Sequence, residues 1–386
     1  MKTKSKTSLI IDVQFGLTNR LRALASAYNF AKRTKRSLIV IWEPDIHCDC
    51  LFEDLFLKVP FRVYRRSEIS LTGYEQYNCM ENDGNHPLPF IDADSTNNIY
   101  VKTYNPLNTS LVDLNAENEF LRSLIPSVSV SRIMKTIKVP FTIGVHIRQQ
   151  GRKDGFKWEQ PEGHWTDKAQ EQLDFARAMA SIHFFTDKMD ELQREKPDAK
   201  FFVASDKRKV LDFLSLKYLN KVIYLERSSF DRSKASIQYA LADLFLLSKS
   251  ELILGSYFSS FSETAFRMGT SSILYSGIDF GSIISSKAFK SPDEIDEHLY
   301  YSARLIEYLR QNVKLGNPSG RSPSLSRERD DTQGFGNALT GGIKFILTSF
   351  LTFFERRGIL VFTRTARKIG FGLIKAGRSL FYFKSD

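Results

Sequence analysis

The first 42 residues alternate strand, helix and strand, and few patterns restrict a fold more. Ser8–Val13 is a short apolar run. Leu17–Lys32 places Leu17, Leu21, Leu24, Tyr28 and Ala31 at helical spacing, and Ser37–Trp42 is apolar again. Two strands joined through a helix pair in parallel with a right-handed crossover. Parallel sheets carry helices on their faces, so an α/β architecture follows. With 386 residues there is room for two such cores.

The pattern restarts at Pro140. Strands are expected at Phe141–Arg148, Lys200–Ser205, Lys221–Leu225 and Glu251–Gly255, with helices near Thr166–Glu195, Lys207–Leu219 and Ala235–Ser248. A boundary near residue 135 then separates a first domain, 1–135, from a second, 136–314. Between the two runs, Phe61–Leu111 is rich in Asn, Asp, Gly and Pro and reads as irregular. Leu315–Phe335 has the composition of a flexible linker.

Charge is concentrated at the end of the chain. Residues 336–386 hold nine Lys and Arg against two acidic residues, so +7 of the net +11 sits there. Arg357, Arg364, Lys368 and Lys375 fall on one helical face, with Phe362, Ile369, Leu373 and Leu380 roughly opposite. Such a basic amphipathic tail suits an anionic membrane surface, or docking on the protein or a partner. Its longest uncharged run, Phe345–Phe354, is ten residues, well short of the ~20 that span a bilayer.

The remaining 335 residues carry only +4 and contain no basic run or RNA-binding signature, which speaks against nucleic acid. Three cysteines, Cys48, Cys50 and Cys79, make no disulfide framework, and the apolar run after the basic N-terminus is too short for a signal peptide. A cytoplasmic protein is the expectation, peripheral at a membrane through its tail. His47, Cys48 and Cys50 lack a second cysteine pair at metal spacing, so no metal is expected.

Within the second run, Gly144-Val145-His146-Ile147-Arg148 puts Gly144, His146 and Arg148 on one face of a strand. The Arg fork matches phosphate oxygens. Phe201–Asp206 ends a strand on a carboxylate, which either lines a crevice with Arg148 or caps the next helix. Asp243 stands among apolar neighbours in Ala240–Leu247 and needs a partner, either a protein cation or ligand donors such as the N1–H and amino group of guanine. In Leu254–Glu263, serines lead into a helix. That is an anion site with Ser259 and Ser260, a Ser260/Glu263 capping box, or both. In the first run, Phe15–Arg20 links strand to helix, with Gly16 permitting close backbone approach and Asn19 and Arg20 in the first turn.

Phe15–Tyr28 (FGLTNRLRALASAY), Trp42–Cys48 (WEPDIHC), Val145–Arg148 (VHIR), Ala240–Asp243 (ALAD) and Ser259–Ser262 (SSFS) occur in that order. The set resembles the fucosyltransferase superfamily that joins protein O-fucosyltransferases to the nodulation and N-glycan-core α1,6-fucosyltransferases. The likeness runs from about Ile10 to Gly269.

The resemblance implies a glycosyltransferase B fold, in which two Rossmann-like domains face each other across a cleft and the second holds GDP-fucose. It implies transfer of fucose to a glycan, glycolipid or protein acceptor, metal-independent and inverting, with no cofactor beyond the donor substrate. Arg148 would be the catalytic residue on the pyrophosphate. His146 and Asp243 would hold guanine or ribose, Ser259 and Ser260 would touch the phosphates, and Asp206 would stand beside them. Gly16, Asn19 and Arg20 would border the sugar and acceptor. Relatives often have further Arg and Asp where this chain has Gln149, Gln150 and Gly151, which leaves open another GDP-sugar donor or a non-catalytic GDP-sugar- or glycan-binding protein. Glu43, Asp45, Asp154, Glu159 and His164 are all candidates for a general base.

Overall fold

Each half of the chain builds a five-stranded, all-parallel sheet. The first contains β1 (Ser8–Val13), β2 (Ser37–Ile41), β3 (Arg62–Tyr64), β4 (Tyr74–Asn78) and β5 (Asn98–Thr103) in the order β3-β2-β1-β5-β4. The second contains β6 (Ile143–Ile147), β7 (Phe201–Ser205), β8 (Val222–Ile223), β9 (Leu252–Gly255) and β10 (Ser272–Tyr275) in the order β10-β9-β6-β7-β8. In both, the chain winds outward from a central strand and then crosses to that strand's other side. The reversals fall between β1 and β5 and between β6 and β9, and ligands of open parallel sheets bind outside the carboxyl ends at such points. The computed structural model describes residues 7–80, 88–149 and 176–281, all of them in one compact unit.

The helices are α1 (Leu17–Arg33), α2 (Phe52–Leu55), α3 (Leu114–Ser123), α4 (Val128–Met134), α5 (Ile182–Glu195), α6 (Arg208–Lys217), α7 (Lys234–Leu247) and α8 (Ser260–Met268). Residues Leu9 and Val40 of the first sheet and Phe202 and Ile253 of the second belong to one continuous core with α1, α3, α4, α7 and α8. That position explains why α7 is apolar nearly all round. The opposite face of the second sheet, with Ile143, Val145 and Ile147, packs on Phe184 and Phe185 of α5 and Leu211 and Leu214 of α6. The opposite face of the first sheet carries a small cluster of Ile10, Ile41 and Tyr100.

Ion pairs reinforce the shared core. Arg267 of α8 meets Glu117 of α3 at 2.6 Å with both side chains buried, and Arg22 of α1 meets Glu263 of α8 at 2.8 Å. Lys234 of α7 also pairs with Asp54 of α2.

The stretch Phe61–Leu111, expected to be irregular, contains β3, β4 and β5. Strand β3 has three residues and β4 is the mostly polar sequence YEQYN, so neither shows a hydrophobic alternation. Strand β5 is held by its place beside β1, with Ile99 and Val101 fully buried. Strand β10, four residues long, is a further strand that the sequence reading lacks. The linker, the basic tail and the N-terminal part of the helix expected at Thr166–Glu195 lie outside the described residues. No described helix is long and apolar enough to cross a membrane.

Candidate functional site

The carboxyl end of β6 is built by the turn that follows β9. Ser256 Oγ accepts the Arg148 N–H at 2.8 Å and donates to the His146 carbonyl at 2.9 Å. Ser262 Oγ binds His146 Nδ1 at 2.7 Å and accepts the Ser256 N–H at 3.0 Å. The His146 ring stacks on Phe261 with centroids 4.6 Å apart. Burial pushes the His146 pKa down to about 3, so the ring is neutral at physiological pH. Its Nδ1 is committed to Ser262, and a ligand contact therefore falls to Nε2. Gly144 faces α7 and the turn after it; a Cβ there would lie 2.6 Å from Ser250 Oγ and 2.9 Å from Leu247 Cδ2. The glycine in this motif thus serves close packing of the strand.

Arg148 emerges from this frame with its side chain 21% exposed and its Nε 3.2 Å from Asp206 Oδ2. The other carboxylate oxygen of Asp206 accepts the Gln149 N–H at 2.8 Å. Of the two readings of Asp206, the helix cap is not observed, because α6 starts after Lys207 with no side-chain cap, and the carboxylate stands beside Arg148. Ser259 and Ser260 begin α8 beside this edge. The Ser260/Glu263 capping box does not form, because Ser259 is the N-cap, and it makes no side-chain cap bond. Ser260 Oγ instead lies 2.9 Å from Thr18 Oγ1, and Glu263 is drawn to Arg22 and Arg267.

Asp243 has found a protein partner. Its Oδ2 is 2.8 Å from Arg227 Nη2, which also donates to the Ser205 carbonyl at 3.1 Å, at the end of β7. The guanidinium lies 4.6 Å from the centroid of Phe230 and 5.9 Å from that of Tyr239. Asp243 Oδ1 and Arg227 Nε, both buried, have no hydrogen-bond partner among the described residues. Burial raises the Asp243 carboxyl to about 6 against the opposing pull of Arg227. An unsatisfied buried carboxylate oxygen costs about 1–3 kcal/mol or more, which donors of a ligand would recover.

At the first sheet, Gly16 is the N-cap of α1, without a side-chain cap, and a Cβ there would meet nothing within 4 Å. Asn19 is half-buried and accepts from Arg22 Nη2 at 2.9 Å. Arg20, expected to border the sugar, has its guanidinium bound within the protein. It is fully buried, with Nε on the Phe15 carbonyl at 2.7 Å, Nη1 on the Glu43 carbonyl at 2.7 Å and Nη2 on Asp45 at 2.7 Å, and it lies 5.0 Å over Trp42. Its role is to hold the loop after β1 against the loop after β2.

Two further residues join the edges of the two sheets. The Arg232 carbonyl accepts the Asp49 N–H at 3.0 Å. Burial, followed by the charge of Arg148, lowers the Arg232 pKa to about 10, so two guanidiniums act on one region, with Asp206 opposing. The same Arg232 charge acts on His47, whose ring meets Phe15 edge-on at 5.1 Å. The sequence signal for Arg232 is a basic residue in the loop after a strand, too common to single out. His47 stands out in the sequence only as a metal ligand with Cys48 and Cys50. Those thiols are buried and raised to about 11 and about 12, and no metal-binding cluster occurs among the described residues. Asp154, Glu159 and His164 lie outside them.

No family model matches the chain, and no curated protein matches it in sequence. Among solved structures it is similar to the fucosyltransferase NodZ from Bradyrhizobium, at 21% identity over 68% of this chain and 92% of that one, with a TM-score of 0.45. It is also similar to a point mutant of Arabidopsis thaliana FUT1 in complex with GDP, at 15% identity over 71% of each chain and a TM-score of 0.43. The structure of POFUT1 in complex with GDP-fucose shares 14% identity over 72% of this chain and 99% of that one, with a TM-score of 0.45.

Proposed function

We propose that the chain is a glycosyltransferase that transfers fucose from GDP-fucose to a glycan, glycolipid or protein acceptor, by a metal-independent, inverting reaction on a glycosyltransferase B framework. The observation that carries this reading is Arg148, held by Asp206 at the carboxyl end of β6 beside the uncapped start of α8. When the bond between sugar C1 and the diphosphate breaks, negative charge grows on the leaving GDP. A preorganised guanidinium and free helix N–H groups stabilise such charge without reorganising. Ser259 and Ser260 fit the β-phosphate. The unpaired Asp243 Oδ1 fits the N1–H and amino group of guanine, with His146 Nε2 beside the base or ribose. Asp206 positions Arg148, and Gly16 and Asn19 border the sugar and acceptor. In this reading the donor lobe is 136–314, the acceptor lobe is 1–135, and the basic tail places the enzyme at the cytoplasmic face of an anionic membrane.

Calorimetry with GDP, together with GDP release from GDP-fucose, GDP-mannose and UDP-glucose, tests the reading. Micromolar GDP binding that persists in EDTA, with slow hydrolysis of GDP-fucose in preference to the other two, is the expected result. Preferred release from GDP-mannose would reassign the donor. Binding without turnover of any sugar nucleotide would make the chain a binding protein, and no GDP binding would remove the reading.

A further inference from the structure

Four non-glycine residues have positive φ among the described residues: Phe15, Lys35, Asn220 and Phe258. Lys35 and Asn220 stand in the turns that end α1 and α6, where a left-handed residue commonly closes a helix. Phe15 and Phe258 instead stand ahead of helices, after β1 and β9, and a bulky side chain at positive φ is strained. Both phenylalanines lie within three residues of one contact, the hydroxyls of Thr18 and Ser260 at 2.9 Å, which joins the starts of α1 and α8.

Packing accounts for only one of the two. The Phe15 ring is half-buried, with Tyr104 at 4.6 Å and His47 at 5.1 Å between centroids. Phe258 stands at φ +50° and is 62% exposed, and its aromatic neighbour among the described residues is Tyr257, at 6.2 Å. Strain that holds a ring out in solvent contributes nothing to the core, and strain of this kind gathers where a ligand is met. The turn is also pinned on both sides of Phe258. Ser256 Oγ accepts the Arg148 N–H at 2.8 Å, and Ser260 reaches Thr18.

The order of the strands says which part of a ligand arrives there. In the run β9-β6-β7, the Asp243–Arg227 pair bonds to the end of β7, Arg148 follows β6 and Phe258 follows β9. A nucleotide with its base at Asp243 and its diphosphate at Arg148 and Ser259 carries its sugar toward Phe258. Neighbouring Cα atoms are about 3.8 Å apart, so the Phe258 ring is within reach of a sugar joined to a phosphate at Ser259. A phenyl ring accepts and donates no ordinary hydrogen bond. The matching part of fucose is its C5–C6 edge with the C6 methyl, since C2, C3 and C4 carry hydroxyls.

We propose that Phe258 is a specificity residue for the donor sugar, its ring covering the C5–C6 edge and selecting a 6-deoxy sugar, an inference that rests on the GDP-fucose reading. The test reads kcat/KM for GDP release from three donors. These are GDP-fucose, GDP-L-galactose, which adds only a C6 hydroxyl, and GDP-D-arabinose, which lacks C6. The wild-type protein should prefer GDP-fucose to each by about 10- to 100-fold, the scale of one small group in an apolar site.

Glycine and asparagine accept positive φ and carry no ring. In Phe258→Gly and Phe258→Asn the three donors should come close to one another, with GDP affinity by calorimetry unchanged and a urea midpoint no lower than wild type. Phe258→Tyr, which keeps the ring, should keep the preference, and its loss there would overturn the proposal. A fucose preference that survives both ring-free variants overturns it as well. So does an equal loss on all three donors, or a lowered midpoint with weakened GDP binding, either of which makes the ring a support for the turn. A wild-type protein that takes the three donors equally overturns it while leaving a GDP-sugar donor in place. If the wild-type protein neither binds GDP nor hydrolyses GDP-fucose, the donor reading itself fails and the role of Phe258 goes with it.

Discussion

Arg148 directly follows β6, the central strand of its sheet, Arg20 lies in the first turn of α1, the helix after the other central strand, and the protein treats the two in opposite ways. Three Arg20 nitrogens are hydrogen-bonded to the protein, under a Trp ring, and its side chain is 1% exposed. Arg148 keeps 21% of its side chain exposed, and its Nε reaches Asp206 at a longer 3.2 Å. Both are arginines on the connection that follows a central strand. What separates the two is how many of each guanidinium's donors are engaged among the described residues, and that depends on loops remote in sequence. Glu43 and Asp45 enclose Arg20, whereas around Arg148 the neighbouring Arg232 repels.

The largest effect that could break this contrast is on stability. Arg20→Ala leaves Asp45 and two carbonyls without their donor, and removing one partner of a buried pair costs about 3–5 kcal/mol. The lower end applies here, because the Asp45 side chain is 32% exposed. A lowered urea midpoint with an unchanged m-value would record it. A stable Arg20→Ala protein that had lost only turnover would put Arg20 back at the sugar. Next comes Arg148→Ala, expected to reduce GDP-fucose hydrolysis by roughly 10²–10³ while its stability changes by less than about 1 kcal/mol. Wild-type turnover in that variant would remove Arg148 from the mechanism.

The same contrast shows what the sequence could reveal. The strand–helix alternation and the parallel pairing were legible because β1, β6 and β7 are short, mostly apolar runs followed by helical patterns. Strands β3 and β4 were hidden because an edge strand can be short and polar when its neighbours supply the core. At the site, Arg148 could be read from its strand and Asp243 from its apolar helix. The burial of Arg20 could not, since its three partners come from Phe15, Glu43 and Asp45. Nor could the influence of the Arg232 charge on His47 be read, because the two lie 185 residues apart in the chain.

Asp243 sharpens the donor side through pH. Its carboxyl is raised to about 6, so in the free protein the proton stays on below that value. A ligand donating to the carboxylate binds the ionised form and lowers that pKa, so affinity should fall about tenfold between pH 7 and pH 5. Titration of the GDP phosphate adds its own slope, and Asp243→Asn isolates the protein's share. The variant should bind GDP more weakly at pH 7 and lack the extra tenfold. Parallel slopes in the two proteins would show that guanine does not reach Oδ1.

Gly16 offers the smallest effect and the finest distinction. Gly144, the glycine of the second sheet, is crowded by Ser250 and Leu247, whereas a Cβ on Gly16 meets nothing within 4 Å. Gly16→Ala should therefore cost less than about 1 kcal/mol, the scale of exchanging glycine for alanine at an N-cap, and should leave GDP affinity as it was. The added methyl projects into the open side of α1, where the reading puts sugar and acceptor. Its effect should then fall on GDP-fucose hydrolysis and not on GDP binding. A tenfold loss of GDP affinity would instead place the start of α1 against the phosphates, and the two sheet edges would share the donor.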